Sequence, residues 1–542
     1  MAGLAATFGS GAMTNSIPDL AEADCFLVTG SNTTEQHPII GTLILRAKER
    51  GAKLIVVDPR RTQLAELADI YLRPRPGTNV AWLNGFMHVI LKEGLEDKRF
   101  IAERTENFQS LKEVVERYHP ARVEAITGIP IPDLIAAARM FGQAERAAIV
   151  YCMGLTQHTS GTANVMSCAN LAMLTGNVGK PGTGVNPLRG QNNVQGACDM
   201  GGLPNVYTGY QPVTSPEARA KFAAAWGVET LPDQVGLTVT EMTGGALEGR
   251  VKALYVVGEN PMVSDPDINH VRAGLQALDF LVVQDIFMTP TAELAHVVLP
   301  ATSYAEKDGT FTATDRRIQR IRAAIPPVGQ SKPDWQIICE LAQRMGAPGR
   351  WDYAHPSEIM AEIASLTPSY AGVSYARLEL VGGLQWPCPS PDHPGTPILH
   401  TTRFTRGLGL FQPQEYTPPA EEPDEEYPFI LTTGRTMFQY HTGTMTRRSE
   451  KLAQEVPLSY LEVNPADAQT MGVRHGQMVH VRSRRGELDT QAFVTPRVPP
   501  GVVFMPFHFA EAAANVLTNR ALDPLCKIPE LKVCAVRVEP VA

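Results

Sequence analysis

Twice in this chain a short β-branched run ends in Gly-x-Asn, opens into a helical stretch and returns as a second apolar run that closes on an acidic residue. In the first copy, residues 23–29 end at Gly30-Ser31-Asn32, Pro38–Glu49 carries a helical pattern, and Lys53–Val57 ends at Asp58. In the second, Ala253–Val257 ends at Gly258-Glu259-Asn260, and residues 280–283 end at Gln284-Asp285. A strand, a helix and a further strand make the βαβ unit of parallel sheets, so its repetition predicts two related α/β domains, doubly wound and mostly parallel. Helical segments at 80–91 and 133–143 and a strand at 147–152 extend the first copy.

Between the copies, residues 174–202 are so rich in Gly and Asn that no regular helix or strand is expected there, and a ligand-lining loop is. Proline and acid accumulate over residues 413–427, which reads as an exposed linker. Beyond it the apolar period shortens: 429–433, 458–463, 478–483, 488–494 and 502–506 are strand-like and separated by turns, predicting a compact β-barrel. At 542 residues there is room for three or four domains. The expected division is 1–191 and 192–303 for the two α/β domains, 304–412 as a connecting α/β segment, 413–427 as linker and 428–542 as the barrel.

Composition removes several function classes. The net charge of −8 offers no basic field to nucleic acid or anionic lipid. None of the eight cysteines stands in C-x-x-C spacing, so neither a structural zinc site nor a locally held iron–sulfur cluster is expected, and the thiols read as buried and reduced. No run nears ~18 apolar residues, and the first residues carry no signal-peptide pattern, so a soluble, cytoplasmic protein without a transmembrane segment is expected.

A strand that ends in glycine and opens into a helix converges backbone N–H groups suited to phosphate. An acid at the end of the next strand suits a ribose or guanine N–H, which makes Asp58 and Asp285 candidates. The alternative is that each glycine only makes a tight turn; neither belongs to G-x-G-x-x-G, so an ordinary dinucleotide fingerprint is absent. Arg189, inside Asn186-Pro187-Leu188-Arg189-Gly190-Gln191, has the fork to hold a carboxylate or, alternatively, to bind loop carbonyls. His441 and His508 stand beside aromatics, as core residues or as acid–base groups.

The tracts LAMLTGNVGKPGTGVNPLRGQNNVQGACDMGGLPN, VTGSNTTEQHPI, VVDPRRT, VQDIFMTPTAELAHVVLPATSYAEKDGTFT and CAVRVEP together resemble the formate dehydrogenase branch of the bis-molybdopterin guanine dinucleotide oxidoreductases, from Ala2 to Ala542. The resemblance implies a catalytic (alpha) subunit that oxidises formate to CO2, or the reverse, with two pterin guanine dinucleotides bound one per α/β half beneath a double-psi barrel. Position by position, it implies that Gly30, Asn32, Glu35, Asp58, Arg60, Gly77 and Asn79 serve one cofactor and Gly258, Asn260, Ser264, Gln284 and Asp285 the other. Met153, Gln157 and Gln191 would lie near the pterins, with Arg435, Tyr440, His441, Asn515 and Lys527 as contacts from the barrel. Arg189 matches the arginine that holds formate beside molybdenum or tungsten.

Members of that family also carry a four-iron four-sulfur domain and a selenocysteine or cysteine metal ligand, all upstream of the position matched by Ala2. The resemblance therefore implies a chain active only with that N-terminal portion, in which a twin-arginine signal would also lie, and with iron–sulfur, NAD-reducing or hydrogenase partner subunits. No residue here is expected to ligate the metal. The competing expectations are a non-catalytic pterin-binding scaffold and an ordinary nicotinamide dehydrogenase.

Overall fold

The structure, a computed structural model, describes residues 1–541 and divides into two compact units. The first gathers Met1–Gly190, Val263–Asn269 and the chain from Ile398 onward; the second holds Gln191–Met262 and His270–Pro397.

In the first unit, β1 (Cys25–Thr29), β2 (Lys53–Val57), β3 (Ile70–Leu72), β4 (Ala147–Tyr151) and β5 (Gly184–Pro187) make a parallel sheet in the order β3-β2-β1-β4-β5. Side chains alternate across a strand, so the apolar runs divide between two cores. Cys25, Leu27, Ile149 and Tyr151 pack with helices α1 (Ala2–Phe8), α3 (Asn79–Glu93), α4 (Ile131–Gly142) and α5 (Gly161–Leu174), while Phe26, Val28, Leu54 and Val150 pack with α2 (Pro38–Glu49). Helix α3 is buried continuously from Val80 to Ile90, as suits a helix apolar on every side, and stops at Gly94, whose φ of 67° is a left-handed cap. From β1 the chain moves outward to β2 and β3; from β4 it moves the other way to β5. The direction thus reverses between β1 and β4, and the crevice at their carboxyl ends is where open α/β sheets bind ligands.

The second unit holds a smaller parallel sheet, β8-β7-β6, of β6 (Ala253–Val257), β7 (Phe280–Asp285) and β8 (Val297–Pro300), and an antiparallel one of β9 (Gly309–Thr312), β10 (Arg317–Ile321) and β11 (Leu384–Gln385). The sequence repeat is also a structural one. Thr29 pairs with Val57 as Val257 pairs with Gln284, and the glycine after each strand donates its N–H to that partner, Gly30 to Val57 O at 3.4 Å and Gly258 to Gln284 O at 2.9 Å. Asp58 and Asp285 consequently occupy equivalent places.

The barrel in the first unit is closed by β12 (Phe429–Gly434), β13 (Tyr460–Val463), β14 (Met478–Arg482), β15 (Glu487–Val494), β16 (Val502–Pro506) and β17 (Cys534–Pro540), in the order β12-β16-β13-β15-β14-β17. Leu431, Leu461, Val463, Val479, Val503, Met505 and Val536 fill its core. Glu462 lies between two of these and so faces the other way, yet it is fully buried. Arg60, just beyond β2, lies across it: Nε donates to Oε2 at 2.7 Å and Nη2 to Oε1 at 2.6 Å, with the guanidinium 4.1 Å from the Phe504 ring. This two-pronged pair ties the barrel wall to the first sheet.

Two expectations about local structure need correction. Residues 174–202 are not wholly irregular, since they contain β5 and a helix at Val194–Asp199. Gly184 makes β5 possible, because a Cβ there would meet Thr14 Oγ1 at 2.0 Å and Asn15 Oδ1 at 2.3 Å, and the strand forms because β4 needs an edge partner. Residues 413–427 have no helix or strand, but they are no loose linker. Tyr118 Oη accepts from Tyr416 N at 2.7 Å, Glu530 accepts from Ala420 N at 2.8 Å, and Glu421 pairs with Arg485.

Replacing Glu462 by Gln leaves a buried guanidinium without its counter-charge, a change that costs about 3 kcal/mol when a buried pair is broken from one side. Denaturant titration of the Glu462→Gln protein checks this, and a loss below about 1 kcal/mol would show the pair to be incidental.

Candidate functional site

Where β1 and β4 end, two glycines face each other. Gly154 donates its N–H to Gly30 O at 3.0 Å. A Cβ on Gly30 would stand 2.3 Å from Leu155 N, and one on Gly154 2.6 Å from Gly30 Cα, so only residues without side chains fit. Gly30 also holds a φ of 56°, in the left-handed region that favours glycine.

Just beyond, the turn and the short helix Thr33–Gln36 present buried polar atoms that no protein group satisfies: both amide atoms of Asn32, Thr34 Oγ1, Gln36 Nε2 and His37 Nδ1. From the barrel, Thr436 Oγ1 and both ring nitrogens of His508 are in the same state. Native proteins satisfy nearly all such groups, so a run of exceptions at the carboxyl end of β1 marks a place built for a polar ligand. In the second copy Asn260 Oδ1 instead accepts from Thr291 Oγ1 at 2.8 Å.

Arg189 follows β5, and the backbone around it is held carbonyl by carbonyl. The Cys152 thiol donates to Leu188 O at 3.1 Å, His37 Nε2 bonds Arg189 O at 2.6 Å, and Arg435 Nη1 donates to Gly190 O at 2.8 Å. A carbonyl oxygen only accepts, so Nε2 of His37 carries the hydrogen and Nδ1 is left as an acceptor. Burial keeps the His37 ring neutral by lowering its pKa, the Arg189 carbonyl opposes, and the Arg435 charge adds to the lowering.

Burial also pushes Asp58 up to about 6, against the Arg60 amide and the Arg60, Lys532 and Arg73 charges. It pushes His441 down to about 4, assisted by Arg435, and His508 to about 4, assisted by Arg447. Both histidines are neutral at pH 7.

Asn32, Glu35, Asp58, Arg60, Met153, Gln157 and Arg189 lie on the segments that leave β1, β2, β4 and β5 at this end of the sheet. Gly77 has a φ of 87° beneath the Pro419 ring, and Asn79 Oδ1 accepts from Trp82 Nε1 at 3.2 Å. Of the barrel residues, Arg435, Tyr440 and His441 follow β12; Asn515 and Lys527 follow β16, with Asn515 Nδ2 donating to Val263 O and Ser264 O at 2.8 and 3.0 Å. In the second unit Gly258, Asn260 and Asp285 line the carboxyl edge of the smaller sheet. Gln284 is tied to Asp334 at 2.7 Å and to the Tyr255 hydroxyl, and Gln191 precedes the helix Val194–Asp199.

Sequence reasoning passed over Cys152, Gln36, His37, Thr436 and Lys532. The signal for Gln36 and His37 was their nearness to Gly30-Ser31-Asn32, and for Cys152 and Thr436 their adjacency to Met153 and Arg435; nothing local marks Lys532. Among the described residues no group of three or more His, Cys, Asp or Glu is placed to hold a metal ion, and no helix is long and apolar enough to cross a membrane.

The family model described as molybdopterin oxidoreductase matches residues 3–344, and that of the molydopterin dinucleotide binding domain matches 429–535. The chain is 54% identical over 539 residues to the F420-dependent formate dehydrogenase 1 subunit alpha of Methanococcus maripaludis, covering 99% of this chain and 79% of that one. It is 43% identical to formate dehydrogenase H of Escherichia coli, covering 100% and 76%. Among solved structures, acetylene hydratase from Pelobacter acetylenicus superposes with a TM-score of 0.79 at 22% identity over 100% of this chain and 80% of that one, a likeness of fold.

The glycine contact yields a direct expectation. Gly30→Ala sets a methyl against backbone that has nowhere to move and adds left-handed strain, a cost of about 2 kcal/mol or more. A urea midpoint equal to that of the parent protein would contradict it.

Proposed function

Because the chain belongs to the molybdopterin oxidoreductase family, we propose that it oxidises formate to CO2, or runs the reverse, at a molybdenum or tungsten centre held by two molybdopterin guanine dinucleotides. The observation that carries this reading is the set of unsatisfied buried polar atoms beyond β1, next to a pinned Arg189. A pterin guanine dinucleotide, rich in amide, amine and phosphate groups, has the chemistry to satisfy them. Gly30, Asn32, Glu35, Asp58, Arg60, Gly77 and Asn79 would hold one dinucleotide, and Gly258, Asn260, Ser264, Gln284 and Asp285 the other, with Met153, Gln157 and Gln191 near the pterins. Arg435, Tyr440, His441, Asn515 and Lys527 would add cofactor contacts from the barrel. When bound, the pterin–metal group supplies the two-electron redox chemistry.

The protein's part is placement. In the reaction HCOO⁻ loses its carbon-bound hydrogen as a proton together with two electrons, and CO2 departs. The guanidinium of Arg189 holds both formate oxygens, so the C–H bond has one direction available. Because the product is neutral, the ionic attraction to Arg189 ends when the carbon is oxidised, and CO2 is released. Attraction to the substrate alone does not raise the rate; orientation does, which is why a backbone held at Leu188, Arg189 and Gly190 matters. Electrons leave to partner subunits.

Formate-dependent reduction of a viologen dye by the purified protein, alongside its metal, pterin and guanine nucleotide content, tests the activity. Arg189→Ala is expected to lower kcat/KM on the order of a hundredfold while the pterin and metal content stay near those of the parent. Equal loss of turnover and of cofactor would remove Arg189 from the substrate.

A further inference from the structure

Lys532 is the last polar residue before β17, and nothing in its own stretch of sequence distinguishes it. It is only 9% exposed, which for a lysine calls for a counter-ion. Its Nζ donates to Thr433 O at 2.6 Å, one of three donors spent, and no ion pair joins it to any carboxylate among the described residues. Arg435, two residues after Thr433, is also largely withdrawn from water; its Nη1 donates to Gly190 O at 2.8 Å, and it too has no carboxylate partner.

The carbonyl that takes Lys532 Nζ belongs to Thr433, two residues before Arg435, and the Arg435 charge adds to the burial that lowers Lys532 to about 8. The acidic groups felt by Lys532 are the Cys152 thiol and Asp58. Burial raises the thiol's pKa, against Arg435, Lys532 and Arg189, and burial likewise raises that of Asp58, whose Oδ1 already accepts from Arg60 N at 2.9 Å. Thr436, next to Arg435, is 6% exposed with an unpartnered hydroxyl. A buried lysine, a half-buried arginine and an unsatisfied hydroxyl, with no carboxylate paired to either cation among the described residues, leave positive charge that a bound anion would offset.

We propose that Lys532 and Arg435, with the Thr436 hydroxyl, form an oxyanion site between the end of β12 and the crevice of the first sheet, and that its occupant is a phosphate group of the bound dinucleotide. The proposal rests on the cofactor part of the proposed function and not on formate as substrate. The carbonyls of Thr433 and Gly190 hold the two cations apart and aim them, while the anion supplies the charge that the protein withholds. Lys532 is then a positioning residue for the cofactor.

The full-length protein made in a host without pterin synthesis is titrated with inorganic pyrophosphate, and separately with formate, by calorimetry. Pyrophosphate is expected to bind, with at least a tenfold loss of affinity in Lys532→Met and in Arg435→Met and much of it restored in Lys532→Arg. Formate binding without pyrophosphate binding would keep the oxyanion site but assign it to the substrate, overturning the phosphate assignment. Binding of neither, or of pyrophosphate equally to all variants, overturns the site. In parallel, pterin and guanine nucleotide are measured in protein made with the cofactor. A several-fold lower content in Lys532→Met, regained in Lys532→Arg, supports the proposal, and unchanged content opposes it. Thiolate ultraviolet absorbance assigned to Cys152 at neutral pH, lost in Cys152→Ser, would show that the thiol is the counter-ion and remove the need for an anion. Full pterin content without formate turnover would sink the substrate reading alone.

Discussion

The architecture of the first unit depends on one backbone contact, the hydrogen bond from Gly154 to Gly30 where β1 and β4 end. Two main chains approach so closely only when neither carries a Cβ. The contact sits where the connections of the sheet turn in opposite directions, so it forms the floor of the crevice the topology opens. Asn32, Thr34, Gln36 and His37 follow Gly30, while Cys152 immediately precedes the turn that carries Gly154. The clamp on Leu188, Arg189 and Gly190 draws two of its three donors, Cys152 and His37, from these segments.

Buried charge is handled in two ways within the same unit. Arg60 and Glu462 satisfy each other with two short hydrogen bonds, and the desolvation of each is offset by the other. Lys532 and Arg435 have only carbonyl oxygens. A charge that is fully paired is structural in effect, whereas a charge or amide left unsatisfied raises the free energy of the ligand-free protein and is relieved by binding. The crevice is therefore where local consistency of the fold is relaxed.

The repeated unit was legible because it is written in a period that physics enforces. Apolar alternation, a glycine at a positive φ and an acid at the end of the next strand recur at matching registers, and α2, β2, β6 and β16 fall on the residues that the pattern indicated. What the repetition concealed is that the copies differ in state. Asn32 and Asn260 stand in equivalent places, yet the Asn260 side chain accepts from Thr291 while neither side-chain amide atom of Asn32 has a protein hydrogen-bond partner. The glycine-rich tract misled in the other direction. Its composition disfavours a strand, but the open edge of β4 imposes one at Gly184–Pro187, since pairing an exposed ladder outweighs weak intrinsic preference.

The sequence by itself determined the fold class, two parallel α/β sheets and a closed barrel, because periodicity and turn chemistry are local properties of a chain. It also singled out Arg189 and the two Gly-x-Asn turns, whose neighbours along the chain are unusual. Only the tertiary structure decided which donors hold Arg189, which wall Arg60 braces, and that Lys532 is a buried cation. Each of those depends on residues far apart in the chain, such as 37 with 189, 60 with 462 and 433 with 532. Charge, burial and hydrogen-bond satisfaction are properties of the space around a group, and that space exists only once the chain has closed on itself.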